Sequence, residues 1–226
     1  MNVSVVLPSF NRARLLPITI PTYFQEDVSE VILVDDCSSD NTAEVVKELQ
    51  TRFPTLRYFR NEVNSKQPYT QNVAISKVQS EYIYFGDDDS VLYPGSIRNL
   101  LNVMREKNAD IVGGRALALF FPEQIDELDE FLSHYRNRIA TEANQIVDLS
   151  TLSTNFTYTV KEPIRVPFCH ASCLCKTQVA REMQFDVKIE GNAYREETDF
   201  LIRATLAGYT IYYTSSANQI NLPSAM

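Results

Sequence analysis

Tyr82-Ile83-Tyr84-Phe85-Gly86-Asp87-Asp88-Asp89-Ser90 drives a short apolar run straight into three consecutive carboxylates. Ile, Tyr and Phe in succession read as a buried strand, and Gly86 lets the chain turn out of it. Three adjacent anions repel one another, and taking them even partly out of water adds to that cost. A divalent cation, Mn²⁺ or Mg²⁺, relieves both penalties, because hard cations favour carboxylate oxygens. In an extended backbone Asp87 and Asp89 point to the same side and would flank one ion. The competing reading is a solvated acidic loop. Position argues against it, since open α/β sheets bind ligands at the carboxyl ends of their strands.

Working outward, strand and helix alternate on both sides of this stretch. Residues 2–7 read as a strand ended by Pro8, followed by a turn into a helix that reaches about Gln25. Residues 30–35 form a second strand ending in Asp35-Asp36, and the cap-rich run 37–42 leads into a helix over 43–52. A strand over 55–60, a polar loop, and a helix over 69–78 come before the acidic strand. A helix over 94–107 and a short strand over 110–113 follow it. This alternation predicts an α/β fold with a Rossmann-like, mostly parallel sheet and helices on both faces. After Gly114 the pattern breaks: 122–138 reads as an acidic amphipathic helix, and 145–162 has no clear period. We take 114–165 as an insertion over the sheet's carboxyl edge. Strand 171–175, helices 177–183 and 196–207, and strand 210–214 close the chain. The division expected is one continuous domain with halves 1–113 and 114–226.

The bulk properties exclude several classes. The chain has 226 residues and a formal net charge of -8, which argues against nucleic acid as a partner and against electrostatic attachment to anionic lipid. No apolar run approaches a spanning helix, and no signal-peptide pattern follows Met1. The expected location is cytoplasmic, with membrane contact at most peripheral at the inner face. Cys37, Cys169, Cys173 and Cys175 are then expected to be reduced.

Three further constellations carry alternatives. Asp35-Asp36 either lines a crevice with the triple aspartate or serves turn and cap chemistry. Glu196, Glu197 and Asp199 either complement a helix dipole or supply a general base. Cys169-His170-x-x-Cys173-x-Cys175 lacks usual zinc spacing and reads as buried thiols. Phosphate-loop and dinucleotide glycine patterns are both absent. Asp87-x-Asp89-x-Val91 also fits the nucleophile motif of haloacid-dehalogenase-type phosphatases, although that motif normally opens a domain at its first strand.

Together, Val-Val-Leu-Pro-Ser-Phe-Asn-Arg-Ala-Arg-Leu-Leu (5–16), Val-Ile-Leu-Val-Asp-Asp-Cys-Ser-Ser-Asp-Asn-Thr (31–42), Gly-Asp-Asp-Asp-Ser (86–90) and Arg-Glu-Glu-Thr-Asp-Phe-Leu-Ile-Arg-Ala-Thr-Leu-Ala-Gly-Tyr (195–209) resemble the family 2 glycosyltransferases, inverting enzymes of the GT-A fold. The resemblance implies a nucleotide-sugar donor, most often a UDP-sugar, and a saccharide or lipid-linked acceptor. It puts Pro8, Asn11, Arg14 and Lys66 near the nucleotide and Asp36 on the base. Asp89 matches the metal-binding aspartate, with Asp88 or Asp87 on ribose or a metal-bound water. Glu197 falls on the catalytic-base position, with Glu196 before it. The chain departs from the family pattern in several places. Glutamate replaces the common aspartate as base, Lys66 and Gln71 stand for a common glycine and arginine, and Asn221 stands for a metal-ligand histidine. The sequence stops at Met226, so the expectation is either that an acceptor-side loop is missing or that the chain is truncated there. Two other readings stay open: the phosphatase, and a nucleotide-sugar-binding module without turnover.

Overall fold

The computed structural model describes residues 3–151, 153–189 and 195–223. Met1 and Met226, named above, lie outside these residues. In order the elements are β1 (Val3–Ser9), α1 (Leu16–Tyr23), β2 (Val28–Asp35), α2 (Thr42–Arg52), β3 (Leu56–Arg60), α3 (Lys66–Lys77), β4 (Tyr82–Phe85), β5 (Ser90–Leu92), α4 (Ser96–Glu106) and β6 (Ile111–Ala118). A 3₁₀ turn (Pro122–Glu127), α5 (Leu128–Ser133), α6 (Ala143–Ile146), β7 (Val147–Asp148), β8 (Ser153–Thr154) and β9 (Ile164–Arg165) come next. Last are β10 (Cys173–Lys176), α7 (Thr177–Met183), α8 (Glu196–Leu206) and β11 (Ile211–Asn221).

The main sheet runs β3-β2-β1-β4-β10-β6-β11-β5, with β9 beside β11. β1 pairs parallel with β2 and β4, as do β2 with β3 and β6 with β11. β10 lies antiparallel between β4 and β6, so those two share a direction. Only β5, β9 and β10 run against the six others. Both faces are buried. Val5 and Leu7 meet Leu16, Ile20 and Tyr23 of α1 on one side, while Val6 joins Ile75, Phe85 and Phe200 on the other. That is why these strands read as continuous apolar runs instead of alternating ones. In α4 the buried positions Ile97, Leu100, Leu101 and Met104 follow helical spacing and form one stripe.

Several boundaries differ from expectation. Pro8 lies inside β1, paired with Val34. Its missing N–H is on the side facing β4, which has already ended, so no ladder bond is lost. β6 runs unbroken across the expected division at residue 113 and reaches Ala118. Gly113 and Gly114 fit because a Cβ would stand 2.4 Å from the Cβ of Cys169 or 2.7 Å from the Ala217 carbonyl oxygen. The span 122–138 is a 3₁₀ turn and a six-residue helix, not one long helix. β11 is longer than the sequence suggests, and its second half pairs with β5, a three-residue strand that the acidic run conceals.

Candidate active site

The acidic loop follows β4 at the sheet's carboxyl edge, and α1 holds it from below. The buried Tyr23 hydroxyl accepts from the Asp87 amide (3.1 Å) and lies 2.8 Å from the Asp87 carbonyl, to which it donates. Thr19 Oγ1 donates to the Asp88 carbonyl at 3.2 Å. Gly86 is there for space and not for a turn: a Cβ would stand 2.7 Å from Leu7 Cδ2 and 2.9 Å from Tyr23 Cε1.

The three aspartates do not act alike. Asp87 Oδ2 accepts from Ser172 Oγ (2.9 Å) and Gln219 Nε2 (2.7 Å), which ties the loop to β10 and β11. Asp87 is thus tied to its neighbours through one oxygen, while Asp88 and Asp89 both face Arg12, because the chain turns at this point. Arg12 reaches both, with Nε 3.4 Å from Asp88 and a terminal nitrogen 3.7 Å from Asp89. Burial pushes the Asp88 carboxyl up to about 7, and the Ser9 hydroxyl and Arg12 offset only part of that rise. Burial raises Asp89 as well, with the Asp87 charge adding to it. No group of three or more His, Cys, Asp and Glu side chains placed to hold a metal occurs among the described residues. A hard cation of the Mg²⁺ type needs only one or two carboxylates when phosphate oxygens complete its shell. A largely buried Asp88 and a half-buried Asp89 facing one guanidinium fit that description.

Beside this pair lies a cavity of about 270 Å³ walled by Pro8, Ser9, Arg12, Asp36, Lys66 and Asp88, among others. Asp36 is its buried floor. Its Oδ1 accepts from Asn61 Nδ2 and the Ser65 amide, and its Oδ2 from the Lys66 amide, all at 2.8 Å. The carboxylate thus holds the start of α3, yet a carboxylate has about four acceptor sites and one stays open. Lys66 takes a left-handed φ of 71°, a conformation that favours glycine. Asp35, one residue away on the other face of β2, does not reach the cavity; it is bonded to Tyr58, Arg60 and the Ser38 amide. Asp36→Ala should cost about 1–3 kcal/mol of stability without any nucleotide, because buried donors lose their acceptor. Urea denaturation reads this, and an unchanged midpoint would show that Asp36 does not anchor α3.

Asn11 and Arg14 border a neighbouring cavity with Asp89 and Leu222. Asn11 itself has a structural task, since its Oδ1 accepts from the Ser39 amide at 2.8 Å. Asn221 is in place near the loop: its Oδ1 accepts from Ser90 Oγ (3.0 Å), beside Asp89.

On the opposite wall, α8 begins with its acidic turn. Asp199 pairs with Arg203 at 2.7 Å, and Arg203 also bonds the Met183 and Gln184 carbonyls, so this carboxylate secures the helix. Glu196 is buried, and its carboxyl is pushed up to about 8 by desolvation, with the Glu197 charge adding to the rise. Glu197 is half-buried, and its Oε1 accepts from Thr198 Oγ1 at 3.3 Å. His170, hidden in the sequence among the cysteines, sits within electrostatic reach of both Asp87 and Glu197. The Ser172 amide donates to its Nδ1 (3.2 Å), and burial lowers its pKa, so the neutral ring carries its proton on Nε2.

Glu196 gives a pH test. A carboxyl raised from 4.5 to about 8 binds more protons folded than unfolded between those values, so stability falls as pH rises through that window. Glu196→Gln removes the fall. Its stability should match wild type near pH 5 and exceed it by roughly 2–4 kcal/mol at pH 8.5, since a tenfold change in proton affinity is worth about 1.4 kcal/mol. Thermal melts at the two pH values that differ by the same amount would contradict this.

Residues 4–173 match the model of Glycosyl transferase family 2. The GalNAc(5)-diNAcBac-PP-undecaprenol beta-1,3-glucosyltransferase of Campylobacter jejuni is 33% identical over 114 residues, which is 49% of this chain and 37% of that protein. Among solved structures, residues 1–349 of TarS from S. aureus in complex with UDP superpose with a TM-score of 0.70 at 18% identity, over 99% of this chain and 61% of that one. The mannosyltransferase PcManGT from Pyrobaculum calidifontis, in complex with GDP-Man and Mn²⁺, gives 0.66 at 16% identity, over 97% and 56%. These folds bear out the expected GT-A architecture. The chain spans between 37% and 61% of the length of these relatives.

Proposed function

Because this chain belongs to Glycosyl transferase family 2, we infer that it moves a sugar from a nucleotide-diphosphate sugar to an acceptor hydroxyl with inversion. The observation that supports the reading is that the Asp88–Asp89 pair facing Arg12 borders the cavity floored by Asp36, while His170 feels both Asp87 of the same loop and Glu197. The open acceptor site on Asp36 suits the imino N–H of uracil, which makes a UDP-sugar the donor of choice. Pro8 and Lys66 wall the same cavity, and Asn11 and Arg14 lie towards the diphosphate side. Asp89, with Asp88, would hold Mn²⁺ or Mg²⁺, which neutralises charge developing on the diphosphate leaving group.

Glu197 takes the proton from the acceptor hydroxyl as that oxygen bonds to the anomeric carbon. The bond from that carbon to the diphosphate breaks, and its electron pair leaves with the nucleotide. A single displacement from the opposite face inverts the centre. Glu196, protonated at neutral pH, keeps a second negative charge away from the base. The acceptor is a saccharide or a lipid-linked saccharide, and no nucleic acid takes part. Among the described residues no helix is long and apolar enough to cross a membrane. The phosphatase alternative is less favoured, because its motif normally opens a domain at its first strand, whereas here the motif follows β4.

A thermal-shift panel of UDP, GDP and dTDP with and without Mn²⁺ tests the reading. A ligand at ~100 times its dissociation constant adds roughly 2.7 kcal/mol of stability. UDP with Mn²⁺ should give the largest shift, and no metal-dependent shift with any nucleotide would reject the donor assignment.

A further inference from the structure

A second cavity, of about 400 Å³, opens on the insertion side of the crevice. Tyr135, Arg138, Phe156, Thr157, His170 and Asn221 are among its wall residues. It adjoins the catalytic crevice, since Asn221 bonds Ser90 of the acidic loop and His170 feels both Asp87 and Glu197. Its neighbours mix the two signs of charge: the nucleotide-side cavity has Asp36 and Asp88 with Arg12 and Lys66, the one beside Arg14 has Asp89 with Arg12 and Arg14, and an apolar groove near α1 has Glu26 and Asp27 with Arg98. Among the described residues the wall of this cavity carries no carboxylate, in a chain of net charge -8.

Positive charge gathers there. Arg138 lies over the Tyr135 ring, 5.2 Å from its centroid, and belongs to the wall. Behind the wall Arg115 is 7% exposed, and its guanidinium meets only neutral oxygens, Asn218 Oδ1 at 2.7 Å and Thr159 Oγ1 at 3.3 Å. Arg136 is close enough to depress the Arg115 pKa further, though burial is the main cause. None of the three arginines forms an ion pair with a carboxylate among the described residues. A buried guanidinium without a counter-ion is costly, and an anion brought into the adjoining cavity would offset that cost. The aromatic groups Tyr135 and Phe156 offer apolar faces to a sugar ring, while Thr157 and His170 Nε2 offer polar contacts to hydroxyls.

We propose that this cavity is an acceptor subsite for an anionic saccharide, one bearing a phosphate or carboxylate group that Arg138 receives, with Arg136 and Arg115 supplying the surrounding positive field. This rests on the reading of the crevice as a sugar-transfer site. It adds that the acceptor is charged.

The test is an NMR titration of the protein saturated with UDP and Mg²⁺, so that the nucleotide side is filled. The probes are glucose 6-phosphate, glucuronate and glucose. At least one anionic probe should bind ~10-fold or more tightly than glucose and shift resonances of the 135–138 and 154–157 segments; which of the two binds separates phosphate from carboxylate recognition. Arg138→Gln, an exposed position whose loss should leave the melting temperature unchanged, should abolish the preference while UDP affinity stays at wild type. Arg138→Lys should restore part of it. Equal affinity for charged and neutral probes, no measurable binding of either anion, or a preference that survives in Arg138→Gln would overturn the proposal. If metal-dependent UDP binding is absent but an Arg138-dependent anion preference remains in the nucleotide-free protein, the sugar-transfer reading fails and the anion site stands.

Discussion

Glu197→Gln should keep metal-dependent UDP binding and lose transfer by ~10²–10⁴-fold, the usual contribution of a general base. Glutamine preserves the shape of the side chain and can still accept the Thr198 hydroxyl, which lies 3.3 Å from Glu197 Oε1, but it cannot take a proton. The proposed base is Glu197, and its acidic neighbours on the same helical turn differ from it in their surroundings. Asp199 is bound to Arg203, and Glu196 is buried with its carboxyl raised to about 8. Glu196→Gln should therefore leave turnover far less affected than Glu197→Gln. The measurement is donor affinity and turnover on the same preparations of both variants. If Glu196→Gln is inactive and Glu197→Gln transfers at the wild-type rate, the base has been assigned one residue away from its true position.

Asp89→Asn should remove the metal-dependent part of UDP binding, a loss of at least ~100-fold, beyond the 10–100-fold typical of residues that only support a metal ligand. Asp88 remains, but its carboxyl is more deeply buried and Arg12 lies 3.4 Å away. The free protein should be at least as stable as wild type, because the substitution takes one desolvated charge from a repelling pair. Calorimetry with and without Mn²⁺ decides. Equal metal-dependent affinity in wild type and variant would move the cation off Asp89, and a loss of metal-free nucleotide binding would show that Asp89 touches the nucleotide directly.

Much of the architecture was legible because buried parallel strands leave continuous apolar runs, and caps such as Ser38 to Thr42 punctuate them. The motif order located Asp36, the acidic loop and the start of α8. Side-chain direction was not legible. Nothing in Asp87-Asp88-Asp89 tells which carboxylate turns toward Ser172 and Gln219, since those partners lie 85 and 132 residues away. The same holds for Asp35 and Asp36, where the pleat of β2 sends one to Arg60 and the other to the cavity. Arg12 was hidden because a lone arginine after a strand has no pattern of its own; its role appears only when the loop folds back over it. His170 was masked by its cysteine neighbours, and β5 by the polar residues before it. The insertion beyond residue 114 carries little periodicity because its segments are short and held by local turns such as Asp148–Ser150 and Asn155–Thr157.

The most direct test of the account is a crystal structure of the protein with UDP and Mn²⁺, with the metal located from its anomalous signal. The account predicts a single strong peak at Asp89 and Asp88, with Arg12 drawn away from them, the diphosphate on the metal and the uracil over Asp36 in the cavity it shares with Lys66. A manganese peak elsewhere, or a nucleotide lying outside that cavity, would contradict it.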